Sequence, residues 1–142
     1  MTLPGEIDLE NNTDSAQTIL IVDDDIRFLN LMHDVLSVQG YRVLKASSGQ
    51  TGVELYRENY PDLVFLDLSM PDMNGLQVLD AIQEIDENAI VIVITAYGTV
   101  ELAVAAMQQG AVDFVEKLDY TTNIQETLFR KVETVLEDVN GE

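Results

Sequence analysis

The chain has no cysteine, one histidine, and only seven Lys and Arg against 26 Asp and Glu, a formal net charge of −19 over 142 residues. Each shortage removes a class of function. Without cysteine there is no thiolate nucleophile, no cysteine-based zinc site and no disulfide framework. With cations so outnumbered, the chain repels a phosphate backbone, which argues against direct nucleic-acid binding. No apolar run approaches the roughly 20 residues of a membrane span. The N-terminus has no basic start and no apolar stretch before Ile19, so it does not read as a secretory signal. Apolar residues still make up 46% of the chain, which argues against wholesale disorder. A chain of this length fits one domain and can bury roughly 70% of its unfolded surface without a staple. The expectation is a soluble, cytoplasmic, acidic single-domain protein.

Residues 1–17 are polar and acidic without periodicity and read as a disordered leader; residues 140–142 read as a frayed tail. Between them, residues 18–139 alternate two kinds of segment. Ile19-Leu20-Ile21-Val22, Leu63-Val64-Phe65-Leu66 and Ile90-Val91-Ile92-Val93-Ile94 are short apolar runs, with Tyr41-Arg42-Val43-Leu44 and Asp113-Phe114-Val115 as weaker cases. Unbroken runs rich in β-branched residues suit strands covered on both faces. The intervening segments have helical spacing. Phe28, Met32, Val35, Leu36 and Gln39 share a face that stops at Gly40, and Val53, Leu55 and Tyr56 mark a helix ending before Pro61. Leu76, Leu79, Ile82 and Ile85 form a third stripe after Asn74-Gly75. Val100, Ala103, Val104 and Met107 form a fourth, ending at Gly110. Ile124, Leu128, Val132, Val135 and Val139 form the fifth, with Thr122 and Gln125 as a capping box and Glu126 and Arg130 as an i,i+4 pair. Five strand–helix units in strict alternation predict an α/β fold: a doubly wound parallel sheet of five strands in the order 2-1-3-4-5, flanked by five helices.

In such a sheet ligands bind at the carboxyl ends of strands 1 and 3. Strand 1 runs into Asp23-Asp24-Asp25 and strand 3 into Asp67. Asp25 reads as the cap of the next helix. Asp23, Asp24 and Asp67 exceed what capping requires, and like charges converging there call for a cation. All-oxygen ligation by a few carboxylates and water fits Mg²⁺ better than a caged Ca²⁺. Strand 4 ends at Thr95, whose hydroxyl can bond a phosphoryl oxygen, and strand 5 leads to Lys117, a candidate phosphate partner. His33, with Asn30 and Ser37 on the polar flank of helix 1, reads as an ordinary surface residue.

Ile21-Val22-Asp23-Asp24-Asp25, the run Val64 to Gly75 with its Leu66-Asp67-Leu68-Ser69-Met70-Pro71, Ile94-Thr95-Ala96-Tyr97-Gly98 and Gly110 to Lys117 together resemble receiver domains of two-component response regulators. The match runs from about Thr18 to Val139, and the stretch from Ala96 to Gly110 looks most like receivers of the NtrC group. The resemblance implies a CheY-like, flavodoxin-like fold in which Asp67 is the phosphorylated aspartate. It implies that Asp24, Asp67 and the Ser69 carbonyl ligate Mg²⁺, with Asp23 acting through water. Thr95 and Lys117 would hold phosphoryl oxygens, and Phe114 would be the switch aromatic. Ser69 and Tyr97 would tune the lifetime of the phosphate. The implied partners are a sensor histidine kinase or histidine phosphotransfer protein upstream and a protein target or output domain downstream. Helix 4, strand 5 and helix 5 would form the output face, also used in the family for phosphorylation-dependent dimers.

One departure stands out. The family usually has Pro after the lysine, often with a cis bond, whereas Leu118 follows Lys117 here. Since a non-proline cis bond costs about 2.5–4 kcal/mol, a trans Lys117–Leu118 bond is expected. Three rival readings draw on the same residues. A Mg²⁺-dependent phosphatase with an aspartyl nucleophile has only Asp23 and Asp25 at suitable spacing, and the chain is small for a substrate cap. A flavodoxin-like electron carrier is disfavoured because the triple Asp repels the flavin phosphate. A receiver-like scaffold that never takes phosphate should have lost an acidic residue, the Thr or the Lys, and none is missing. The reading is thus a signalling switch without metabolic turnover, not an enzyme in the ordinary sense.

Overall fold

Alternate residues of each central strand point to opposite faces of a sheet, so apolar runs need cover on both sides. The computed structural model describes residues 16–71, 73–96, 100–117 and 122–141, and there the runs and stripes resolve into ten alternating elements. These are β1 (Thr18–Val22), α1 (Ile26–Val38), β2 (Arg42–Ala46), α2 (Gly49–Asn59) and β3 (Leu63–Asp67), followed by α3 (Gly75–Ile85), β4 (Val91–Ala96), α4 (Val100–Gln109), β5 (Asp113–Lys117) and α5 (Thr122–Gly141). All strand pairs are parallel and the order is β2-β1-β3-β4-β5, as the alternation predicts.

The strands divide two apolar cores between them. Ile19, Ile21, Leu63, Phe65, Ile92, Ile94 and Val115 pack against Phe28, Leu29, Met32 and Leu36 of α1 and Leu128, Val132 and Leu136 of α5. Leu20, Val22, Val64, Leu66, Val91 and Val93 pack on the other side against Val53 and Tyr56 of α2, Val78, Leu79 and Ile82 of α3 and Ala106 of α4. Helix ends follow local chemistry. Asp25 caps α1 by accepting from the Arg27 and Phe28 amides at 3.1 and 3.2 Å, as expected of it. Gly40, at φ +101°, closes the same helix in the left-handed region.

Three local expectations change. The stripe on α4 is not buried as a whole: Ala103 and Ala106 face the core, while Val100 and Val104 are 54% and 51% exposed and Met107 is also exposed. The helix rotates its small residues inward, because alanines permit the closest approach to the sheet. On α1, Gln39 is exposed and Leu29 takes its place in the core. The helix at the C-terminal end continues through Asn140 to Gly141, past the last apolar position of its stripe. Asn74-Gly75 starts α3 through a capping box that the stripe alone does not show: Gln77 N–H donates to Asn74 Oδ1 at 3.0 Å, and Asn74 N–H donates to Gln77 Oε1 at 3.3 Å. The Thr122–Gln125 box and the apolar positions Ile124 and Val139 lie outside the described side chains. Glu126 and Arg130 do pair, at 3.6 Å on exposed surface, where such a contact contributes little.

Gly75 lets α3 begin hard against the end of β3. A Cβ there would sit 2.5 Å from the Leu68 Cα and 3.0 Å from the Asp67 carbonyl oxygen. Neither is a flexible side-chain end. Gly75→Ala is therefore expected to destabilise the protein by about 1–3 kcal/mol despite alanine's better helix propensity. Chemical denaturation of the variant against the parent measures this; an unchanged or raised midpoint contradicts the packing argument.

Candidate functional site

Pleat and register bring the chemistry-bearing residues together. Ile19 and Ile21 of β1, Leu63 and Phe65 of β3 and Val115 of β5 share the α1/α5 side of the sheet. Two residues further along each strand come Asp23, Asp67 and Lys117. Val22 lies beside Leu66 in the β1–β3 register, so Asp23 and Asp67 emerge abreast at the point where the strand order reverses. Thr95 has the opposite parity, that of Val91 and Val93, and is buried in β4 beside Glu116.

Asp23 is fully buried and both its oxygens are engaged. Oδ1 accepts the Asp25 amide at 2.9 Å and Oδ2 accepts Lys117 Nζ at 2.7 Å. Asp67 is also buried, and its Oδ1 accepts the Ser69 amide at 3.0 Å. Asp24 is exposed at the mouth of the site. The three carboxylates offer ligand oxygens that all lie within 4.8 Å of one another. Two buried acids share one ammonium beside an exposed third, which leaves negative charge in excess, and the proton affinities of the buried pair respond. Burial, reinforced by the Asp23 carboxylate, pushes Asp67 from the ordinary 3.8 up to about 7, against the pull of the Ser69 amide and Lys117. Burial also raises Asp23, with Lys117 acting in the opposite sense. An all-oxygen set with unbalanced charge is the donor chemistry that a hard divalent cation satisfies.

The remaining sequence-predicted residues divide. Phe114 is 40% exposed on the edge strand β5. Its side chain faces outward and does not pack in the core. Tyr97 and the Lys117–Leu118 bond lie outside the described residues. His33 sits on α1 beside Asp34, with Nδ1 and Oδ1 3.2 Å apart, and takes no part in the carboxylate cluster. Sequence reasoning missed one neighbour of the site. Phe28, read only as a core residue of α1, places its ring 4.5 Å from Lys117 Nζ. Nothing in helical spacing distinguishes a ring that packs on aliphatic neighbours from one that packs beneath an ammonium.

Two buried carboxylates and an exposed third at the switch point of a doubly wound parallel sheet, with a lysine from edge strand β5 reaching Asp23, form an acidic pocket of a kind that signalling domains carry. The response regulator receiver domain family matches residues 19–129, and the chain belongs to that family. It is 37% identical over 114 residues to the chemotaxis protein CheY of Thermotoga maritima, covering 80% of this chain and 95% of that one. It is 40% identical over 111 residues to the transcriptional regulatory protein ZraR of Escherichia coli, covering 78% of this chain and 25% of the regulator. The crystal structure of the receiver domain of NtrX from Brucella abortus superposes with a TM-score of 0.75 at 31% identity, over 84% of this chain and 98% of that one. The protein is therefore a receiver domain of two-component signalling.

The raised Asp67 value carries a stability consequence of definite sign. A carboxylate whose pKa is higher folded than unfolded imposes no penalty while both states are protonated, below about 4. The penalty grows as pH rises from the unfolded 3.8 and is complete above the folded value of about 7. Asp67→Asn, which removes the charge but keeps the shape, is expected to stabilise the cation-free protein by about 2 kcal/mol at pH 8. The gain should shrink steadily toward pH 4, as followed by denaturant unfolding across that range. A gain independent of pH would contradict the assignment.

Proposed function

We propose that this receiver domain, residues 18–139, accepts a phosphoryl group on Asp67 from a phosphohistidine of a sensor kinase or phosphotransfer protein, and signals through α4, β5 and α5. The observation that carries the reading is the buried Asp67 carboxylate at the end of β3, held by the Ser69 amide and flanked by Asp23, Asp24 and Lys117. In the transfer an Asp67 oxygen forms the new bond to phosphorus as the histidine P–N bond breaks, and the imidazole leaves with a proton from solvent. Such a transition state is loose, so the protein contributes in-line positioning and charge neutralisation.

Each residue has a share in this. Asp24 and Asp67, with the Ser69 carbonyl, would hold Mg²⁺. The engagement of both Asp23 oxygens supports a role for Asp23 through an intervening water. When bound, Mg²⁺ supplies neutralisation of phosphoryl oxygens and keeps Asp67 ionised as a nucleophile. Lys117, released from Asp23, would pair with a phosphoryl oxygen from the other side. Thr95 would turn its hydroxyl to the phosphoryl group, and Phe114 on the adjacent strand would move inward from its exposed position. Ser69, two residues after Asp67, and Tyr97, two after Thr95, would set how long the acyl phosphate lasts.

Among the described residues no helix is long and apolar enough to cross a membrane. With its acidity, this supports a cytoplasmic protein that acts on a protein partner or output domain and not on nucleic acid directly. Likeness to ZraR supports the NtrC-type grouping. The exposed Val100, Val104, Met107 and Phe114 support a protein-facing output surface, phosphorylation-dependent dimers included.

Intact mass after incubation with a small phosphodonor tests the reading. One phosphoryl adduct is expected, requiring both Mg²⁺ and Asp67 and absent from Asp67→Ala. No adduct on the folded parent overturns the proposal, and turnover of a phosphorylated metabolite beyond one equivalent favours the phosphatase reading. Thr95→Ala should still take the adduct but lose most of the accompanying amide shift changes in α4 and β5. Full-sized changes in that variant would remove Thr95 from the switch.

A further inference from the structure

Lys117 has a second neighbour that carboxylate chemistry alone does not call for. Its Nζ lies 4.5 Å from the centroid of the Phe28 ring, well within the roughly 6 Å over which a ring face attracts an ammonium. The ring is fully buried and the lysine side chain only 13% exposed. One turn of chain supplies both partners of the ammonium. Asp23 accepts its hydrogen bond at 2.7 Å, and Asp25 caps α1 through the Phe28 amide at 3.2 Å, fixing the residue that carries the ring.

We propose that Phe28 is a positioning residue for Lys117, a platform on which the ammonium moves from Asp23 to a phosphoryl group on Asp67. The inference rests on the phosphoacceptor reading of Asp67. Its physical basis is the cost of the move. An ammonium so little exposed that leaves its carboxylate has few water molecules to replace it, and an unpaired buried charge is expensive. The face of a ring attracts a cation without demanding one N–H direction, so it remains a partner at each point of the swing. A second carboxylate in the same place would hold the lysine fast. An aliphatic side chain of similar volume would preserve the shape and give none of the attraction.

Two readouts test this. In the cation-free protein, the Lys117 ε-methylene protons should resonate upfield of those of Lys45 and Lys131 through the ring current, and Phe28→Leu should abolish the difference. Separately, Phe28 is replaced by 4-fluoro-, 3,5-difluoro- and 3,4,5-trifluorophenylalanine, which drain the ring face of negative charge while nearly keeping its size. Phosphoryl uptake from acetyl phosphate with Mg²⁺ should slow stepwise along the series, to about three- to tenfold below the parent, with thermal midpoints staying together. Equal rates along the series, or unshifted Lys117 protons in the parent, overturn the proposal. A parent that takes no phosphoryl group overturns the acceptor reading alone. The Lys117 resonances then decide for the platform, an upfield position supporting it and an ordinary one refuting it.

Discussion

Two carboxylates taken out of water side by side, with one ammonium to share, are the constraint on which the site depends. Asp23 accepts from Lys117 at 2.7 Å, which opposes the rise in its proton affinity that burial imposes. Asp67, left beside it without an equal partner, responds by holding its proton to about pH 7. Both facts come from the same source, the weak screening of charge in a buried pocket. The arrangement is therefore poised: a divalent cation held there would compete both with the proton on Asp67 and with Lys117 for the carboxylates, linking all three groups through one balance of charge.

The scaffold makes that balance tolerable. Excess negative charge of this kind would push a flexible loop apart, but Asp23 directly follows β1, and Asp67 and Lys117 are the last residues of β3 and β5. Parallel hydrogen bonding fixes the strands relative to one another, and apolar cores on both faces clamp them. Gly75 extends the clamp, since α3 starts against the Leu68 backbone immediately after Asp67. The cost of crowding charges is met by packing elsewhere in the sheet.

The far side of β4 and β5 is built differently. Where α1 and α3 bury large side chains, α4 turns only Ala103 and Ala106 fully inward and leaves Val100 and Val104 in solvent. A helix held by methyl groups loses little apolar contact when it shifts. The tightly clamped carboxylates and the lightly held neighbouring helix thus differ in how much packing resists their movement.

Much of this could be read directly from residue order. Apolar runs alternating with helical stripes imply the parallel sheet. The carboxylates that follow two of those runs, with Thr95 and Lys117 after two others, mark the site, because a strand's end and its next residue are local facts. Burial on α4 was not legible, since valine and alanine are equally apolar in a pattern, and only the closeness of the sheet selects the smaller. The Asn74–Gln77 box hides behind an Asn-Gly pair that usually signals a turn. The pairing of Lys117 with Asp23 over the Phe28 ring is of another kind again. Sequence alone determined which charges arrive at the end of the sheet. Tertiary structure alone decided which of them meet, because partner choice depends on pleat parity, register and depth of burial across strands 94 residues apart.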